Sequence, residues 1–125
     1  MSTLLFLLSL VIAQPAITAS DAWITEPAAD GTAAAYLSIS NPTMYDIYVV
    51  TATSDAAGKI ELRDGDKPVK EITVPSYGFA EFKAGGPHLM LMDLKQALKA
   101  GENVTLTLLT DGGVTLVTTA VVKAR

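Results

Sequence analysis

The single histidine of the chain, His88, lies in the run Gly85-Gly86-Pro87-His88-Leu89-Met90-Leu91-Met92, two residues before Met90 and four before Met92. Imidazole nitrogen and thioether sulfur are donors that suit a soft monovalent ion such as Cu(I). Calcium and magnesium take carboxylates and carbonyls instead. The three side chains act together only if the backbone is extended. After a turn at Gly85-Gly86-Pro87, the two-residue period of a strand puts His88, Met90 and Met92 on one face and Leu89 and Leu91 on the other. The same spacing also fits a hydrogen-bonded, half-buried histidine beside methionines that fill a core, and spacing alone does not separate the two readings.

Other site chemistries lack their residues. The chain has no cysteine, so thiolate metal sites, disulfides and thiol redox chemistry are excluded. A catalytic zinc site ordinarily takes two or three histidines and one is present. No Gly-x-Ser-x-Gly nucleophile elbow occurs to pair with His88 as base. Glu61, Asp64, Asp66 and Glu71 read as solvated hairpin residues, and the rest of a calcium loop is missing around Asp64 and Asp66. The net charge is -4 and the lysines are scattered singly, so nothing is set to neutralise nucleic-acid phosphates. These exclusions favour a binding protein over an enzyme.

The elements that must position His88 follow from punctuation and period. A chain of 125 residues is enough for one domain with one core. Residues 1–20 carry no charge and are almost wholly apolar from Leu4 to Ala13, ending in small residues before Asp21. This predicts a secretory signal peptide over 1–20, cleaved after Ala19, Ser20 or Ala22, and a mature domain over 21–125. The apolar run is about half the ~20 residues needed to span a bilayer, so the mature protein is not expected to be integral to the membrane.

Ala22 to Pro27 reads as a short edge strand stopped by proline. Thr32 to Ser40 alternates cleanly, and Ile47 to Thr53 is rich in valine, threonine and tyrosine. Asp64-Gly65-Asp66 joins two strands as a hairpin, and Asp111-Gly112-Gly113 joins the last two. Asp93 to Lys99 is expected to form the one helical turn, with Asp93 as N-cap and Ala100-Gly101 as the stop. Seven or eight short strands with turns every eight to twelve residues predict a β-sandwich. The expected core includes Leu37, Ile39, Val49, Ile60, Leu62, Ile72, Leu89, Leu91, Leu106, Leu108 and Val121.

The segment Gly85 to Gly101 resembles the hallmark segment of the exported PCu(A)C copper chaperones, which supply Cu(I) during maturation of the CuA centre of cytochrome oxidase. Asp21-Ala22-Trp23, Ala33-Ala34-Ala35-Tyr36-Leu37 with Asn41 after it, and Lys59-Ile60-Glu61-Leu62 stand in the family's order, so the resemblance covers nearly all of the mature chain. It implies an all-β, cupredoxin-like Greek-key sandwich, a periplasmic or secreted location, Cu(I) as the bound metal, and a copper-recipient protein of oxidase assembly as partner.

The family's site has an upstream histidine and methionine and a downstream His-x-Met pair, which His88 and Met90 match. Arg63 occupies the position of the upstream histidine, and no methionine lies between Arg63 and His88. A cation at Arg63 would repel bound copper, less so if the guanidinium points to water or pairs with Asp64 or Asp66. Two readings result. In one, His88 and Met90 form a reduced Cu(I) site with Met92, or less favourably Met44, as third donor. In the other, the sandwich is kept, copper is lost, and the domain serves as a protein-binding or structural module.

Overall fold

Runs rich in valine, threonine, leucine and isoleucine, broken by glycine, proline, asparagine and aspartate, form ten strands in the computed structural model, which describes residues 16–124. The strands are β1 (Thr18–Thr25), β2 (Ala33–Asn41), β3 (Ile47–Thr53), β4 (Ala57–Asp64), β5 (Lys67–Pro68), β6 (Ile72–Val74), β7 (Gly78–Glu81), β8 (Pro87–Leu94), β9 (Asn103–Thr110) and β10 (Thr115–Lys123). They pair in the order β5-β4-β8-β2-β1-β10-β9-β3-β6, with β7 on β2 beside the β2–β8 ladder. All neighbours are antiparallel except β1 and β10. The long sheet curls so that β3 meets β4 and β6 meets β7, giving two faces around one core.

The core is built by strand alternation. Ala33, Ala35, Leu37 and Ile39 of β2 point inward with Leu89 and Leu91 of β8, Leu106 and Leu108 of β9, and Ala120 and Val122 of β10. The expected core residues are buried in this way with two differences. Ile60 is only partly buried against the core, and Val121 is half-buried on the outside while its neighbours Ala120 and Val122 face in. Two consecutive valines leave the inward one unspecified by type, and the pairing of Trp23 with Val121 settles it.

Three further expectations change. The strand count is ten rather than seven or eight, because the segment after the Asp64–Asp66 turn splits into β5 on β4 and β6 on β3, at opposite ends of the pairing order. The Ala22 strand is not an edge: β1 lies between β2 and β10. No described residue is helical: Asp93 has φ 55°, outside the extended region usual for an N-cap, and lies within β8, which stays paired with β4 as far as Leu94 opposite Ala57. The export signal expected over residues 1–20 lies mostly outside the described residues; of its described part, Thr18, Ala19 and Ser20 pair with Ser40, Ile39 and Ser38 as the start of β1.

Asn41 ends β2 and is fully buried. Its amide nitrogen donates to the carbonyls of Tyr45 (2.8 Å) and Val74 (3.1 Å), and its Oδ1 accepts from the Thr43 amide (3.0 Å) and hydroxyl (2.6 Å). The three bonds to Thr43 and Tyr45 brace the β2–β3 loop, and the bond to Val74 ties that loop to β6. Asn41→Ala leaves the Val74 carbonyl without this partner in a buried place and is expected to destabilise by roughly 2–4 kcal/mol, read by chemical denaturation.

Candidate metal centre

The residues that could hold a metal stand in registered rows across the outward face of β1, β2, β8 and β4. Opposite residues of an antiparallel pair share a face, with Cβ atoms about 4.5–5.5 Å apart. His88 is paired with Arg63 of β4, Met90 with Glu61 of β4 and Ala34 of β2, and Met92 with Lys59 of β4. His88, Met90 and Met92 therefore line one face of β8, as the two-residue spacing predicts, while Leu89 and Leu91 are fully buried on the other.

The imidazole is held from two sides. His88 Nδ1 is 2.9 Å from the Gly86 carbonyl, which only an Nδ1–H can satisfy, so in the neutral ring the lone pair is on Nε2. Among the described residues Nε2 has no hydrogen-bond partner, and no side-chain nitrogen or oxygen there is both fully buried and unpartnered, so the small exposed part of His88 (7 %) includes Nε2. The Tyr36 ring flanks the imidazole with centroids 6.1 Å apart, and Trp23 packs against Tyr36 at 4.8 Å with the rings tilted by 45°.

Trp23 reaches that row through a bulge. The β1–β2 register shifts by one residue between Ser20 and Trp23, where Asp21 has φ 56°, and this re-aims Trp23 onto the outward face beside Tyr36. Lys123 then caps the indole at 5.0 Å.

Met90 is half-buried and opens into a concavity of about 360 Å³ lined by Thr25, Ala28, Thr32, Ala34, Tyr36 and Met90. The small side chains of Ala28 and Ala34 leave this space beside the thioether. Met92 lies one step further along the same face, past the last β2 partner, Ala33 opposite Leu91. Met44 is not part of the group. It is 61 % exposed in the loop after β2, and the five residues from Tyr36 to Asn41 alone carry that loop roughly 16 Å from the His88 row at ~3.3 Å per residue. Among the described residues no group of three or more histidine, cysteine or carboxylate side chains could hold a metal, so a metal here must rely on thioether donors.

Arg63 faces His88, and its partner is neither Asp64 nor Asp66. Its Nε donates to Glu61 Oε1 at 2.6 Å, and Glu61 Oε2 is 4.0 Å from Lys59 Nζ. Glu61 thus belongs to the site rather than to a solvated hairpin. The signal in the sequence was the i, i+2 placement of Glu61 and Arg63 on one strand face, which gains meaning only once β4 is paired with β8.

This geometry, a curled two-faced β-sheet with a His-x-Met strand at its outward face, is that of a cupredoxin-like domain. The chain belongs to the LpqE-like family: the family described as "Putative lipoprotein LpqE-like" matches residues 17–122. A curated relative, "Putative lipoprotein Lxx21020" of Leifsonia xyli subsp. xyli, is 32% identical over 101 residues, which is 74% of this chain, and the match spans 60% of that protein's length. Among solved structures, the copper-bound PCuAC domain from PmoF2 superposes with a TM-score of 0.78 at 17% identity, covering 91% of this chain and 100% of that one. The solution structure of CuI-DR1885 from Deinococcus radiodurans matches with a TM-score of 0.70 at 32% identity, over 90% of this chain and 81% of that chain. The fold is that of the PCuAC domains, as the sequence resemblance implied.

Proposed function

We propose that this protein is an exported copper chaperone that binds Cu(I) as cargo at His88 and Met90, with Met92 as an adjacent donor. The observation that carries the reading is His88 itself: its Nδ1–H is committed to the Gly86 carbonyl and its Nε2 is unpartnered and solvent-reaching, on the same strand face as Met90. A neutral imidazole fixed in this tautomer presents one lone pair, and the thioether of Met90 adds a soft donor two residues away. That donor set fits Cu(I) and disfavours Cu(II), zinc and the hard cations. Support also comes from the relationship to DR1885, whose solution structure is of a Cu(I) form.

The activity is metal binding and transfer, not catalysis. A half-buried site on an open strand face holds its cargo loosely enough to yield it to a recipient with more donors. We take that recipient to be a copper-acquiring protein of cytochrome oxidase assembly. An export signal within residues 1–20 would bring the domain to the periplasm or the cell exterior, in keeping with the family's lipoprotein name.

One observation favours a second reading, a protein-binding module that has lost copper. The place across from His88 holds a guanidinium rather than a donor. Titration of the purified domain with Cu(I) under reducing conditions, against a chromophoric Cu(I) chelator, separates the two. The chaperone reading predicts one Cu(I) per chain, bound more weakly than by a four-donor site because each lost donor costs affinity at tenfold per ~1.4 kcal/mol. No uptake leaves the second reading.

A further inference from the structure

A bound Cu(I) ion brings a positive charge to a face that already carries two. Arg63 stands directly opposite His88, and Lys59 directly opposite Met92. Glu61 lies between them on the same face of β4, opposite Met90. Its Oε1 accepts from Arg63 Nε at 2.6 Å, while Oε2 is 4.0 Å from Lys59 Nζ. The side chains of Arg63 and Glu61 are only 26% and 22% exposed, so solvent screens this pair less than one at the open surface.

We propose that Glu61 is a positioning residue for metal binding: it holds and neutralises Arg63, so that a monovalent cation can be taken up at the His88–Met90 face. The proposal rests on the copper reading above. Glu61 is not a ligand in it. One carboxylate oxygen is engaged by Arg63, and a carboxylate is a hard donor with little preference for Cu(I). Its contribution is to turn two neighbouring cations into a cluster of net charge near +1, and to hold the guanidinium along β4 rather than across the imidazole.

The test is a double-mutant cycle on Cu(I) affinity, measured by competition with a chromophoric chelator under reducing conditions. The variants are Glu61→Gln, Arg63→Gln, the pair together, and the exchange Glu61→Arg/Arg63→Glu. Glu61→Gln should weaken binding about tenfold, and added salt should narrow that deficit, because the loss is electrostatic. Arg63→Gln should bind at least as tightly as wild type. The double variant should return to within about threefold of wild type, since removing both charges leaves none uncompensated. The exchange variant should do the same, and it decides the matter if Glu61→Gln alone fails to fold.

Wild-type affinity in Glu61→Gln overturns the proposal. So does a double variant as weak as Glu61→Gln, which would make Glu61 a ligand or a structural prop. Cu(I) uptake by wild type with a flat cycle removes this proposal alone, whereas no uptake by wild type removes the copper reading as well.

Discussion

Replacing His88 by alanine should lower Cu(I) affinity by about a hundredfold or more, without unfolding the domain. The imidazole is the only nitrogen donor on the outward face of β8, and its Nε2 is free because Nδ1–H is bound to the Gly86 carbonyl. Without the imidazole only thioethers remain as donors on this face, and a loss of ~2.7 kcal/mol or more corresponds to that fall. Met90→Ala should act in the same direction, by about ten- to a hundredfold. Met92→Ala should cost less, because Met92 lies beyond the β2 pairing and farther from His88. Met44→Ala should leave affinity within about twofold of wild type, since Met44 sits in the exposed loop beyond β2. Competition titrations of the four variants check the order. If His88→Ala and Met44→Ala bind alike, the metal is held elsewhere.

Arg63→His should tighten Cu(I) binding by about ten- to a hundredfold. The change removes a cation facing the imidazole and supplies a second nitrogen donor at the same place. Two unit charges a few ångströms apart near a protein surface repel by on the order of 1–4 kcal/mol, of which Glu61 already offsets a part, and a third donor adds to the gain. Geometry permits it. Arg63 and His88 are a direct cross-strand pair of β4 and β8, so an imidazole at 63 projects from the same face as His88 with Cβ atoms about 4.5–5.5 Å apart. The short β4–β5 hairpin therefore does not hold that side chain away. Affinity equal to wild type would show that the position across from His88 takes no part in binding.

What was legible in the sequence was local. The period of two through His88, Leu89, Met90, Leu91 and Met92 placed donors and core on opposite faces, and the alternation of Ala33 to Ile39 placed β2; both hold because one face of each strand packs on the core. What was not legible depends on which strand meets which. The interior place of β1 comes from its parallel pairing with β10, at the far end of the chain. The split of the segment after Gly65 into β5 and β6 follows from capture of its two halves by different strands. The helical turn expected at Asp93 lost to continued pairing of β8 with β4 as far as Leu94 opposite Ala57. Capping chemistry is a weak preference beside a ladder of backbone hydrogen bonds with a buried side.

The site shows the same division. His88 and Met90 could be named from spacing, but Glu61 could not, because its role exists only through the register that sets it across from Met90 and beside Arg63. The Trp23–Tyr36–His88 row likewise depends on a bulge at Asp21 that composition does not announce.

In the proposed complex Cu(I) is held between His88 Nε2 and the Met90 thioether. Nuclear magnetic resonance of the full chain tests it most directly, with spectra recorded before and after one equivalent of Cu(I) under reducing conditions. The His88 ring protons and the Met90 methyl are expected to shift together and saturate at one equivalent, with a smaller shift at Met92 and none at Met44. Saturating Cu(I) that leaves the His88 and Met90 signals in place would contradict it.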